Sequence, residues 1–192
     1  MNAVWVVAGL AGFLLLSLAI SFNRFVTQRN LIRDSWANID TELRRRYDLI
    51  PNLVETVKGY AAHERQIMEA VSEARVAAVG QTGSPQQQAA TENALIGALR
   101  QLFAVVENYP DLKASGNFLA LQKELATTED RIQTARRFYN ANVRDLNRRC
   151  AAIPSSVVAG LFGFKPVEFF EVEPAVRAAG PPTADFGSSR QE

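Results

Sequence analysis

FLALQKELATTEDRIQTARRFYNANVRDLNRRCAAI, residues 118–153, is the stretch that decides the fold. Phe118, Leu121, Leu125, Thr128, Ile132, Ala135, Tyr139, Val143, Leu146 and Cys150 recur along it at steps of three and four. Such steps hold a stripe on one face of an α-helix. No Gly or Pro interrupts the run before Pro154. At 1.5 Å per residue the helix is ~50 Å long. A rod of that length with one apolar stripe requires equally long partners beside it.

The partners lie upstream. Ile32, Trp36, Ile39, Leu43, Tyr47, Ile50, Val54, Val57 and Ala61 form a second stripe with the same steps. Pro51 falls inside it and predicts a kink near Tyr47–Ile50, with Asp48 as a cap for the restarted turn. Gly59 is a second place for a bend. A shorter helix is expected over 63–79, with Ile67, Ala70, Val71, Ala74 and Ala78 on one face. The segment GQTGSPQQQ, 80–88, reads as a loop. A further helix over 89–108 turns Leu95, Leu99, Leu102, Phe103 and Val106 inward. Tyr109-Pro110-Asp111 and Ser115-Gly116-Asn117 punctuate the connection to the long helix, with Asn117 as its cap. No stretch alternates at period two for long enough to suggest a sheet. The expected fold is all-α: four long helices with short connections, packed as an antiparallel up-and-down bundle.

The N-terminal end has a different chemistry. Residues 1–23, MNAVWVVAGLAGFLLLSLAISFN, carry no charged side chain, and Arg24 is the first. About 20 apolar residues make ~30 Å of helix, the thickness of a bilayer core. The run lacks the basic start of a secretory signal and exceeds its length, so we read an uncleaved transmembrane anchor. Arg24, Arg29 and Arg33 follow the span. Cationic flanks stay in the cytoplasm, which places the body there and a short N-terminus outside the inner membrane. The lone Cys150 suits a reducing compartment.

Composition argues against several functions. The 21 basic and 20 acidic residues leave a formal net charge of +1. No global field draws nucleic acid. Arg44-Arg45-Arg46 and Arg136-Arg137 are local clusters without interleaved aromatic residues. They read as solvated helix faces laced with pairs such as Glu42–Arg46 and Asp145–Arg149. A di-iron bundle needs Glu-x-x-His on two helices, and this chain has one histidine, His63. His63-Glu64 reads as a helix-capping pair, and Cys150, on the apolar stripe, as an inert buried thiol. No nucleophile elbow, Walker A or dinucleotide-binding glycine pattern occurs. Asn117, Asn140, Asn142 and Asn147 are placed to hydrogen-bond across helices and fix register. We therefore expect no enzyme activity, no cofactor, no metal and no small-molecule substrate.

After Pro154 the chain changes again. PSSVVAGLFGFKPVEFFE, 154–171, crowds Val157, Val158, Leu161, Phe162, Phe164, Phe169 and Phe170 among Gly160, Gly163 and Pro166. In a bundle whose first helix leaves the membrane, the fourth returns toward it. The segment is then either a cap over the open end of the bundle or a membrane-interface or assembly patch. Residues 174–192, rich in Pro, Ala, Gly and Ser, read as a disordered tail. The expected domains are an anchor over 1–23, a helical body over 24–173 and that tail.

Three segments resemble one family. RRRYDLIPNLVETVKGYAAHE (44–64), ENYPDLKASGNFLALQKELATTEDRIQTARRFYNANVRDLN (107–147) and IPSSVVAGLFGFKPVEFFEV (153–172) are similar, in order, to the LemA family of bacterial membrane-anchored proteins. With the span, the resemblance covers about residues 1–172. It implies one N-terminal transmembrane helix and a helical-bundle body. It supplies no catalytic residues. Related proteins are linked to magnetosome membrane formation and envelope processes, which by analogy implies membrane organisation. The expected partners are membrane lipid through the span and further copies of the chain or other proteins. The function expected is a membrane-anchored, coiled-coil-like scaffold; the alternative is an adaptor or regulator of a membrane protease or signalling kinase, acting through the Arg44–Arg46 face.

Overall fold

The computed structural model describes residues 2–172. The tail expected over 174–192 lies outside them. Six helices follow in order: α1 Asn2–Lys58, α2 Arg65–Gly80, α3 Pro85–Val106, α4 Pro110–Lys113, α5 Gly116–Ala151 and α6 Ser155–Phe162. Among the described residues there is no strand. α1 lies along α5, α2 packs on α3 and α1, and α6 folds against α5 and α1. Paired residues on α1 and α5 run in opposite order, Gln28 meeting Asn142 and Arg46 meeting Glu129.

The stripes are inward as read. Ile32, Ile39, Leu43, Tyr47, Ile50 and Val57 of α1 are buried, as are Leu125, Ile132, Tyr139, Val143 and Leu146 of α5. α1 is one helix of 57 residues that passes through Pro51 without a restart at Asp48. A proline in mid-helix leaves the carbonyl four residues back without its donor. That carbonyl belongs to Tyr47, and Arg75 Nε of α2 donates to it at 2.6 Å. The side chain from α2 repairs the gap that Pro51 opens in α1. The helix ends where Gly59 weakens it.

Several boundaries differ from the sequence reading. α3 begins at Pro85 rather than Ala89, because Ser84 and Gln87 form a reciprocal capping box. The cap of α5 is Ser115, not Asn117. The short α4 occupies the connection read as punctuation. Glu64 stands at the N-cap of α2 but makes no side-chain cap there; its carboxylate accepts from the Tyr109 hydroxyl at 3.2 Å instead.

The first part of α1 stands clear of the body. Its most apolar window has mean hydropathy 2.4, and none of that window is buried. Ten large apolar side chains from Val4 to Ile20 are exposed. Burying each contributes about 1.5–3 kcal/mol. Together they amount to roughly 15–30 kcal/mol, more than the ~5–15 kcal/mol that holds a typical fold together. Water is a poor solvent for such a surface. The helix is long and apolar enough to cross a membrane once.

Candidate functional site

The segment after α5 lies at the base of that free-standing helix. α5 stops at Ala151, and α6 runs for eight residues before Gly163, whose φ of 69° is the left-handed conformation that ends a helix. The Phe164 amide then donates to the Ala159 carbonyl at 2.9 Å. Ring contacts fix the position. Phe22 meets Phe162 at 4.8 Å and Phe164 at 5.8 Å, and Phe25 stacks on Phe164 at 4.7 Å. The Arg29 guanidinium lies 5.7 Å from the Phe164 ring.

The seven apolar residues singled out in this segment divide into two sets. Val158 and Phe170 are buried, and Phe164 packs partly against the core. Val157, Leu161, Phe162 and Phe169 face outward, Leu161 with 70% exposure. Ile153, 87% exposed, joins them.

Residues 164–172 are a strap laid back along α5. Asn147 clasps Val167, donating to its carbonyl at 2.9 Å and accepting from its amide at 2.8 Å. Asn140, two turns earlier, does the same for Phe170 at 3.0 and 2.9 Å. The Tyr139 hydroxyl donates to the Glu168 carbonyl at 3.0 Å, and Arg136 donates to the Val172 carbonyl. Trp36 wedges between Tyr139 and Phe170, 5.3 Å from each ring. Of the asparagines read as register pins, Asn142 crosses between helices: it donates to Ser35 Oγ at 2.7 Å, and its carbonyl accepts from Gln28 at 2.9 Å. Asn140 and Asn147 hold the strap instead.

A buried polar chain runs through the body. Arg46 is 2% exposed and Glu92 is fully buried. Arg46 pairs with Glu92 of α3 and, at 3.0 Å, with Glu129 of α5. Tyr47 donates to Glu92, and Gln88 donates to Glu92 at 3.0 Å and to the Ala78 carbonyl at 3.2 Å. Gln133 donates to Glu129 at 2.7 Å and accepts from Arg136 at 2.6 Å. The chain thus links α2, α3, α1, α5 and the strap. It overturns the reading of Arg46 as solvated and paired to Glu42. Glu42 pairs with Arg45 and Arg131, and Asp145 pairs with Arg148 rather than Arg149. Burial, reinforced by the Glu92 charge, pushes the Tyr47 hydroxyl well above its ordinary value, and burial with the Glu168 charge pushes Tyr139 up to about 12.

Two hollows among the described residues lie on open surface. A groove of about 500 Å³ lies between α1 and α5, lined by Ser35, Glu42, Thr127, Ala135 and Phe138 among others. Phe138 is 66% exposed. Beside the base of the span, Ile20, Asn23, Arg24, Thr27, Gln28 and Arg149 line a smaller cavity of about 320 Å³.

The described residues contain no cluster of three His, Cys, Asp or Glu side chains able to hold a metal. Cys150 and His63 are at opposite ends of the body. Cys150 neighbours Arg149, which shares a cavity with α1 residues 20–28, whereas His63 follows the end of α1 at Lys58. The intervening 30 residues of helix separate them by ~45 Å. Burial raises the Cys150 thiol above its usual range, away from thiolate.

The architecture is a free apolar helix carrying a body of amphipathic helices with a clasped aromatic strap. The LemA family model matches residues 35–186. The chain belongs to the LemA family. The match begins inside the body and runs past residue 172, where the sequence resemblance was expected to stop. Two relatives of Paramagnetospirillum magneticum, magnetosome proteins MamQ 1 and MamQ 2, are each 30% identical over 184 residues, covering 83% of this chain and 68% of theirs. Protein LemA of Metamycoplasma hominis is 26% identical over 153 residues, covering 78% of this chain and 68% of its own length. Among the described residues one helix is long and apolar enough to cross a membrane, which fits a membrane-associated protein of this family.

Proposed function

We propose that this chain is a non-enzymatic scaffold, anchored in the inner membrane by residues 1–23, that self-associates through its long helical faces and serves membrane or envelope organisation. Its body, 24–173, is an antiparallel four-helix bundle facing the cytoplasm, with Arg24, Arg29 and Arg33 on the cytoplasmic side of the span. Relatives named as magnetosome proteins favour a role at membranes.

One observation carries the self-association. Phe138 stands 66% exposed at the edge of the α1–α5 groove, which runs between the two longest helices. A large exposed aromatic side chain beside a groove is a knob awaiting a hole, and a second copy of the chain supplies both. Asp130 and Arg131, which also line the groove, bring charges of both signs to such a contact. The mass of the full chain in lipid nanodiscs tests this. Oligomers are expected for the wild type, and their loss with Phe138→Glu at unchanged helix content. A wild type that stays monomeric as its density in the bilayer rises would overturn the proposal.

The alternative reading, an adaptor or regulator of a membrane enzyme, has a smaller surface to act through. With Arg46 inside the body, the Arg44–Arg46 face consists of Arg44 and Arg45, each paired with a carboxylate on its own helix.

A further inference from the structure

We infer that the end of the body beside the span is a phospholipid-docking face: α6 lies in the boundary between headgroups and acyl chains, and Arg24 with Arg149 holds an anionic headgroup phosphate. The inference rests on the reading of residues 1–23 as a membrane span and names lipid as the partner of the outward half of the 154–171 segment.

Three independent features converge there. The first is composition. No charged residue occurs from Ala151 to Phe164, while Arg148-Arg149 precede this stretch and Lys165 follows it. An uncharged stretch between cationic ends suits an interface, where the apolar part enters the acyl boundary and long cationic side chains reach back to the headgroups. The second is orientation. Val158 and Ala159 turn inward, whereas Val157 and Leu161, four residues apart, make an outward apolar edge, and Ile153 in the preceding turn is also exposed. α6 is therefore apolar on two sides: one packs on the body, and the other is uncovered. The third is level. Phe162 touches Phe22, the last aromatic ring before the first charge of the chain at Arg24. The outward edge of α6 thus stands where the span leaves the bilayer core, so lipid is the apolar medium beside it.

The 320 Å³ cavity adds the headgroup. Arg24 comes from α1 and Arg149 from the last turn of α5, and Asn23, Thr27 and Gln28 complete the wall with hydrogen-bonding side chains. Ile20, which also lines the cavity, belongs to the span. Two arginines from different helices, in one lining with polar side chains and an isoleucine of the span, match a lipid phosphate attached to acyl chains. Docking at two points besides the span holds the body at a fixed angle to the bilayer, which presents the Phe138 groove in one orientation to neighbouring copies.

The test uses the full chain in nanodiscs of phosphatidylcholine with and without phosphatidylglycerol. Nitroxide labels are placed through Leu161→Cys, Phe13→Cys and Glu73→Cys in a Cys150→Ser background. Collision with oxygen and with a water-soluble nickel chelate reports depth. The label at 161 should be shielded from nickel, like the one at 13 and unlike the one at 73. A label at 161 as open to nickel as that at 73, with 13 still shielded, would overturn docking and leave the span intact. Nickel access at 13 would instead sink the span reading itself. Leu161→Glu, which alters an outward side chain, should release the end of the body with helix content unchanged. For the headgroup, phosphatidylglycerol retained on the extracted protein is counted by native mass spectrometry. Arg24→Gln and Arg149→Gln should each lower retention about fivefold. Retention unchanged in the double variant, or inorganic phosphate displacing the lipid as well as soluble glycerophosphoglycerol does, would overturn the headgroup site.

Discussion

Arg75 and Pro51 should be energetically coupled although they never touch as side chains. Pro51 deprives the Tyr47 carbonyl of its helix donor, and Arg75 Nε supplies one at 2.6 Å. Tyr47 is buried, so water cannot easily replace the lost bond. A hydrogen bond from a charged group to such an acceptor contributes about 1.5–3 kcal/mol. Arg75→Met keeps most of the apolar stem and removes that donor. It should destabilise the body by about 2 kcal/mol, and Tm falls ~2–4 °C per kcal/mol for a protein of this size. With Pro51→Ala the residue at 51 has an amide that can serve the Tyr47 carbonyl directly. In that background Arg75→Met should cost under ~1 kcal/mol, giving a coupling energy of at least ~1 kcal/mol, within the range seen for interacting neighbours. Thermal unfolding of the four proteins in the same detergent, followed by far-ultraviolet circular dichroism, measures it. Equal costs of Arg75→Met in both backgrounds would refute the reasoning and reduce Arg75 to a packing residue.

Other consequences follow from the polar chain and the strap. Arg46→Met leaves Glu92 buried beside Tyr47 without its cation and should cost about 3–5 kcal/mol, read as a fall in Tm of roughly 6–20 °C; an unchanged Tm would mean that the carboxylate is not held by Arg46. Asn140→Ala removes both hydrogen bonds to Phe170. At about 1 kcal/mol each, the Phe170 amide should exchange hydrogen ~30-fold faster, while amides in the middle of α3 keep their rates. Alkaline pH should weaken the fold. Tyr139 titrates near 12 in the folded protein, against about 10 when unfolded, and Tyr47 is likewise raised. Their stabilising contribution is whole below pH 10 and is lost as pH rises toward 12, because the unfolded chain releases those protons first. Denaturant unfolding should lose up to about 1.4 kcal/mol per pH unit for each tyrosine in that window, and Tyr139→Phe should flatten the slope.

The stripes were legible because burial on a helix leaves a period of 3.6, which fixed the inward faces of α1 and α5 in the sequence itself. The free-standing apolar part of α1 was legible through the absence of charge. What the sequence concealed was pairing at a distance. Arg46 sits in a run of arginines whose nearest carboxylates lie on the same helix, so a local rule pairs it with Glu42. Its actual partners are 46 and 83 residues away, and only folding brings them together. Gln88 and Glu92 were hidden for the same reason: polar letters on an amphipathic helix read as its wet face. The start of α3 could have been read from Ser84 and Gln87, which carry the capping-box spacing with Pro85 at the first helical position. Asn140 and Asn147, seven apart on one face, signalled a shared partner but not that it would be an extended strap.

The central claim is a membrane-tethered scaffold built from copies of itself. Cross-linking in intact membranes at native abundance, with products identified by mass spectrometry, tests it most directly. A ladder of homo-oligomers with cross-links near the α1–α5 groove is expected. A single dominant product with a different membrane protein, and no homotypic link, would contradict it.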